Sequence, residues 1–437
     1  MFNNKNMKKT NLFLAMAAGV FTLGACNKIE SGNEPLADSD VQQIVLQVAN
    51  GGDGIATRAG RPMYGSEAQQ TIENVKVIVC NSQPTNNVVS VFDIKDWNTS
   101  ATDYVTTGHG KEKVIELTGD NRLMETGTYK AYAIGYHNSS DYTNITEAVT
   151  NIAQGGTFNE NLKLTMNQAA GNKIGEEIFA GSLEIQFVAG KGFKSSLILN
   201  RQVAGTFGYV EDIPYKDGAT NLKLVSSARN SALVLGHFAN DQLPDNGGNN
   251  SKNKVNYVIN GDTQVNDKVL FDIKLSDWFT EIKEGANGML DIATWKNPHE
   301  GEATFKKGSI FGGNFVIPFA KTSENTLKLQ LTNAGGSVLR EWIVKLPFND
   351  KQVSQHDLFT WGTNFAQSKN TDSQKVYNIV RNHIYGIGTR TLDKPEFPEP
   401  GPGPEPEVDK PESLNTKQEI VLQVNDNWEV IHSMELE

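Results

Sequence analysis

From Ile420 to Leu436 the chain keeps one strand period without a break, and no other segment constrains the fold as strongly. The even positions read Ile420, Leu422, Val424, Asp426, Trp428, Val430, His432, Met434 and Leu436, while the odd positions are mostly polar or charged. Successive side chains of a strand point to opposite faces, so this segment has one apolar face to bury. Its first half has a near copy at the opposite end of the chain. Gln418-Glu419-Ile420-Val421-Leu422-Gln423-Val424 repeats Gln42-Gln43-Ile44-Val45-Leu46-Gln47-Val48, differing only where Glu419 stands for Gln43. Ile44, Leu46 and Val48 occupy the face that Ile420, Leu422 and Val424 occupy, so one acceptor groove could take either copy. Neighbouring strands of a single sheet would also carry such a repeat.

A chain of 437 residues exceeds one ordinary hydrophobic core and predicts two domains. Between the two copies, short alternating runs recur about every ten residues between turn clusters, the signature of sandwiches. Strands are predicted at 75–80, 88–94, 113–117, 128–136, 183–188 and 196–200. A second series runs through 222–226, 232–238, 255–259, 269–274, 311–319, 326–331, 338–346 and 376–387, and one helix is predicted over 145–153. The expectation is an all-β chain of two tandem β-sandwiches divided near residue 195. The net charge of -11, with no basic patch, argues against nucleic acid as a partner.

The ends read as processing signals. Lys5, Lys8 and Lys9 precede an apolar run from Leu12 to Leu23, too short for a stable span and flanked as in a signal peptide. Leu23-Gly24-Ala25-Cys26 follows, which resembles a bacterial lipobox and implies cleavage before Cys26 and acylation of its thiol. A plain signal peptide with a chance cysteine is the alternative. After the first strand copy, Gly51-Gly52-Asp53-Gly54 leads to Arg58-Ala59, an arginine followed by small residues, where a trypsin-like protease would cut. Near the other end, residues 394–411 alternate Pro, Glu and Gly and can form neither helix nor sheet ladders. Such a run favours extended polyproline II and would reach on the order of 50 Å. It tethers the terminal strand, which suits strand addition to another subunit and, repeated head to tail, a filament.

Chemistry of other kinds is not signalled. The seven histidines lack metal-ligand spacing, and no nucleophile elbow, P-loop or dinucleotide fingerprint occurs. Asp245-Asn246-Gly247-Gly248 and Asn260-Gly261-Asp262 read as hairpin turns, and Trp278, Trp295, Trp342 and Trp361 as core anchors. Cys80 ends an alternating run and reads as a buried, inert thiol. No enzyme activity, metal or cofactor is expected.

With the lipobox at Leu23–Cys26, the strand ending in Arg58-Ala59, Val380-Arg381-Asn382-His383-Ile384-Tyr385, the Pro-rich linker and the stretch from Trp428 to Leu436 in hand, the chain resembles the type V fimbrillins of the Bacteroidales, nearest to minor-fimbrium shaft subunits. The resemblance implies two transthyretin-like β-sandwiches and export as an outer-membrane lipoprotein. It implies a signal peptide over 1–25, a propeptide over 26–58, sandwiches over 59–195 and 196–393, a linker over 394–412 and a donor strand over 413–437. An Arg-specific protease would cut at Arg58-Ala59 and remove Ile44, Leu46 and Val48 with their strand. The emptied groove would take the terminal strand of the next copy, with Ile420, Leu422, Val424, Trp428, Val430, Met434 and Leu436 as its apolar face. Partners would be copies of itself, other fimbrial subunits, the protease, and host proteins or glycans, with the membrane reached only through the lipid. In the precursor the leader strand is expected in the groove and the terminal strand mobile. Competing readings are a monomeric surface lipoprotein that binds glycans or host protein through its loops, and a fimbrial tip or anchor subunit.

Overall fold

The computed structural model describes residues 34–36, 40–48, 72–82, 86–103, 111–160, 162–167, 175–227, 229–235, 261–266, 268–300, 305–319, 327–345, 359–360, 368–369, 379, 381, 384–388, 411–415 and 419–425. Strands dominate throughout, and the fold class is all-β. In the first half lie β1 (Glu34–Leu36), β2 (Gln42–Val48), β3 (Asn74–Asn81), β4 (Asn87–Ile94), β5 (Thr102–Asp103), β6 (Lys111–Glu116), β7 (Gly127–Tyr136), β8 (Lys163–Thr165), β9 (Phe179–Phe187) and β10 (Gly192–Arg201). One layer runs β10-β2-β6-β5, with β1 also on β10, and the other runs β4-β3-β7-β9. β10 belongs to both: residues 193–199 pair with β2, and Asn200 and Arg201 then pair with Ala180 and Phe179 of β9. Where the chain crosses over β9 there is room only for glycine, since a Cβ on Gly181 would lie 1.9 Å from the Ile198 carbonyl oxygen.

Alternation builds the core between these layers. On β3, Val75, Val77 and Val79 face it, as do Ala131 and Ala133 of β7, and Ile44, Leu46 and Val48 of β2 complete it from the opposite layer. The other face of β3 and β7 carries Ile78, Cys80, Tyr132 and Ile134, which pack in a separate cluster with second-half residues. Cys80 is fully buried there, and burial first, then the Glu160 carboxylate, pushes its thiol up to about 12. A thiol so protonated is a poor nucleophile.

In the second half lie β11 (Ala204–Glu211), β12 (Ala219–Ser226), β13 (Asn230–Val234), β14 (Gly261–Gln264), β15 (Val269–Lys274), β16 (Ile310–Val316), β17 (Leu327–Asn333), β18 (Val338–Lys345), β19 (Phe359–Thr360), β20 (Ser368–Lys369), β21 (Ile384–Ile387), β22 (Glu412–Ser413) and β23 (Glu419–Asn425). Two layers again form, β15-β12-β17-β18 and β16-β11-β21, and β23 joins them. A third sheet, β14-β13-β8, ties residues 163–165 of the first half to 232–234 of the second.

Several details depart from expectation. The helix predicted over 145–153 is a single turn, Thr146–Thr150. A whole strand, β11, lies where none was predicted. It is buried on both faces, so it shows no alternation, and its Gly208 accommodates Phe271, whose Cζ a Cβ would approach to 2.7 Å. The strand expected over 255–259 and Trp361 lie outside the described residues. Trp278 and Trp342 are buried core anchors as expected, and the half-buried Trp295 donates its indole N–H to the Ser309 carbonyl at 2.6 Å. Gly261 and Asp262, expected in a hairpin turn, lie instead in β14, where pairing with β13 holds them extended, and Asp262 pairs with Lys163 at 2.7 Å.

Candidate strand slots

The leader copy fills the middle of a sheet. β2 runs parallel to β10, with Gln42 opposite Phe193 and Val48 opposite Leu199, and antiparallel to β6, with Gln43 opposite Glu116 and Val48 opposite Lys111. Every residue from Gln43 to Val48 therefore has a ladder partner on each side. Ile44, Leu46 and Val48 are at most 1% exposed, against Ile115 and Leu117 on one flank and Phe193, Leu197 and Leu199 on the other. Burial of three such side chains contributes about 1.5–3 kcal/mol each before ordering costs. These walls form the groove that seats the leader strand, and residue patterns alone did not locate them.

The strand is fixed endwise by Gln42, which is 1% exposed. Its Nε2 donates to the Leu123 carbonyl at 2.9 Å, and the Leu123 N–H donates back to its Oε1 at 2.8 Å. The backbone beside it is also tied: Leu117 N–H donates to the Gln42 carbonyl at 2.8 Å and Phe193 N–H to the Val41 carbonyl at 2.9 Å. At the rim, Arg122 reaches both the backbone carbonyl of Asp40, at 2.6 Å, and its carboxylate, at 3.0 Å. That ion pair is largely exposed and contributes little.

The C-terminal copy lies in the second half, and its setting differs. Residues 419–421 run parallel to β18, Glu419 opposite Ile343, and residues 422–425 run antiparallel to β21, Leu422 opposite Ile387. Among the described residues the strand so passes from one layer to the other, with a ladder partner on one side for each of its halves. Its root is fastened by β22, which pairs with Val210 and Glu211, by the fully buried Leu414, and by Ser413 Oγ, which donates to the Asp212 carboxylate at 2.7 Å. The expectation of a mobile terminal strand is corrected for these residues. The edges of β18 and β21 supply it with main-chain partners within the same chain. The two copies are not neighbours in one sheet.

A buried polar junction connects the walls of the two slots. At the end of β10, Arg201 Nε lies 2.6 Å from the Glu177 carboxylate, both groups being within 3% of full burial, and the guanidinium lies over the Phe179 ring. The adjacent Gln202 accepts from Arg381 Nη1 at 3.2 Å, and Arg381 is fully buried three residues before β21. The stretch from Val380 to Tyr385 thus includes an arginine bonded to Gln202, the residue that follows the first half's last strand.

Of the remaining predicted site residues, Cys26, Arg58 and Ala59 lie outside the described residues, as do Trp428, Val430, Met434 and Leu436. Ile420, Leu422 and Val424 lie on the described backbone of β23. Among the described residues no group of three or more His, Cys, Asp or Glu side chains could hold a metal ion, and no helix is long and apolar enough to cross a membrane.

No protein-family model matches the chain, and no curated protein matches it. It is similar to several solved structures named as fimbrial proteins of Bacteroidales. The fimbrial anchor protein Mfa2 from Porphyromonas gingivalis is 11% identical over 79% of this chain and 90% of its own, with a TM-score of 0.35. A fimbrial assembly protein from Parabacteroides distasonis is 10% identical over 83% and 94%, with a TM-score of 0.35. The C-terminally truncated tip fimbrial protein Mfa3 from Porphyromonas gingivalis is 12% identical over 79% and 94%, with a TM-score of 0.34.

Proposed function

We propose that the chain is the structural subunit of a bacterial surface fimbria, a shaft protein that polymerises by strand exchange. The observation that carries this reading is the unequal seating of the two copies. The leader copy is laddered on both sides and buried in the first core, whereas among the described residues the C-terminal copy is laddered on one side at a time. A strand held on both edges leaves only when its connection is cut. A strand held on one edge can be exchanged for a better site.

In this reading the precursor is exported and acylated at Cys26, and an Arg-specific protease cuts between Arg58 and Ala59. The leader then departs, and its slot between β6 and β10 takes Ile420, Leu422 and Val424 of the next copy, with Trp428, Val430, Met434 and Leu436 extending the contact. Leu414 stays in its own second half and anchors the donated segment. The chain divides into two sandwiches that meet at the Arg201-Gln202 junction. Each added copy offers a new slot and a new strand, so growth is open-ended. Adhesion or biofilm formation would follow from such a fibre, with other fimbrial subunits and host surfaces as partners. No reaction is assigned to the chain.

Deletion of residues 413–437 tests the reading. Trimmed chains without them are expected to remain monomeric. Fibres of normal length from the deletion variant would refute strand donation.

A further inference from the structure

Building on strand exchange into the leader slot, we propose that Gln418 sets the register of the incoming strand, by placing its side-chain amide where Gln42 stands and taking both hydrogen bonds of Leu123.

Three observations carry this. Gln42 is buried to 1% and engaged at both ends of its amide, as donor to the Leu123 carbonyl and acceptor from the Leu123 N–H, at 2.9 and 2.8 Å. Leu123 is itself buried, and among the described residues no other hydrogen bond reaches its two backbone groups. Removal of the leader strand therefore leaves a backbone donor and acceptor at the mouth of an apolar slot. The occupant that fits is the segment 418–424 of a second copy, because it repeats 42–48 and begins with the same glutamine. A glutamine amide supplies both a donor and an acceptor from one side chain.

Register is what this contact decides. A slip of one residue turns the apolar face outward and is excluded by the pleat. Slips of two residues keep the face, and the amide acts against these. Moved two residues one way, the incoming strand would set Gln418 at the fully buried site of Ile44 and Thr416 beside Leu123. Moved the other way, it would set Ile420 beside Leu123 and Asp426 at the site of Val48. Both slips leave the Leu123 groups without the amide and place a polar side chain in the core. Gln418 is thus a positioning residue, and its neighbour Glu419, at the half-exposed site of Gln43, is the one position free to differ.

The test uses the full chain trimmed after Arg58 and synthetic peptides spanning residues 416–437. The first readout is the peptide concentration that displaces the cut leader. The second is register, read as disulfide formation between Val421→Cys in the peptide and Val114→Cys in the chain, since Val45 stands opposite Val114. The natural peptide is expected to displace the leader and to cross-link from position 421. A Gln418→Met peptide, similar in size but without the amide, is expected to need roughly 10- to 100-fold more and, in versions carrying the cysteine at 419 or 423 instead of 421, to cross-link from those positions as well. If the Gln418→Met peptide matches the natural one in both readouts, the register role is overturned while strand exchange stands. If the natural peptide fails to displace the leader at all, strand exchange falls and the register role with it.

Discussion

Between β6 and β10, each residue from Gln43 to Val48 has a ladder partner on both sides; across β18 and β21, among the described residues, 419–421 have a partner on one side and 422–425 on the other. Nearly the same seven residues are therefore seated twice in one chain with different completeness. A sheet strand draws its stability from main-chain pairing along both edges and from side-chain burial, so a strand paired along one edge at a time is the weaker guest. The leader slot adds the Gln42 amide contact at one end. The difference shows how a single strand sequence can serve as a plug that needs cutting in one place and as an exchangeable segment in another.

The largest expected effect comes from keeping the better-seated copy in place. Arg58→Ala is expected to abolish assembly, because the leader cannot leave a slot that holds it on both edges; electron microscopy of protease-treated chains checks this, and normal fibres would break the comparison. Next, Leu46→Ala is expected to destabilise the precursor by about 2–5 kcal/mol in urea unfolding, as a large-to-small change in a filled core. Leu422→Ala, in the C-terminal copy, is expected to cost about 1 kcal/mol or less in the same measurement. Equal losses would mean that the two seats are equivalent.

Smaller effects sharpen the picture. In the leader slot the residue at position 43 stands opposite Glu116, and an incoming strand brings Glu419 there. Like charges directly opposite destabilise by about 0.2–1 kcal/mol. Glu116→Gln is thus expected to strengthen uptake of the C-terminal strand a few-fold at low salt, with the gain fading as salt screens it, and to leave the precursor unchanged. Smallest of all, Cys80 faces the cluster away from the slot. Its labelling by a thiol reagent at pH 8 is expected to stay as slow after the leader is removed as before.

How much of this was legible in the sequence follows from where each signal resides. β3 and β7 were readable because Val75, Val77 and Val79, like Ala131 and Ala133, put their regularity into the chain itself. β2 and β23 were readable for the same reason, including which of their faces is apolar. β11 was not, since its Gly205 and Gly208 look like turn residues and break up its apolar run. The slot walls were also hidden. Lys111–Glu116 reads as a charged strand, and nothing in it says which segment it will pair with. The Gln42 contact was beyond reach because its partner is the backbone of a residue 81 positions away, and backbone groups carry no sequence signature. The docking of 419–425 on its own chain was missed because strand pattern specifies a face to bury and not the sheet that buries it.

The account rests on which segment occupies the slot between β6 and β10 once the chain has assembled. A fibre structure by electron cryomicroscopy reads this directly. It is expected to show residues 418–424 of the adjacent copy in that slot, with Gln418 beside Leu123 and the chain beginning at Ala59. A fibre in which residues 42–48 remain between β6 and β10, with 419–425 still on β18 and β21 of its own copy, would contradict it.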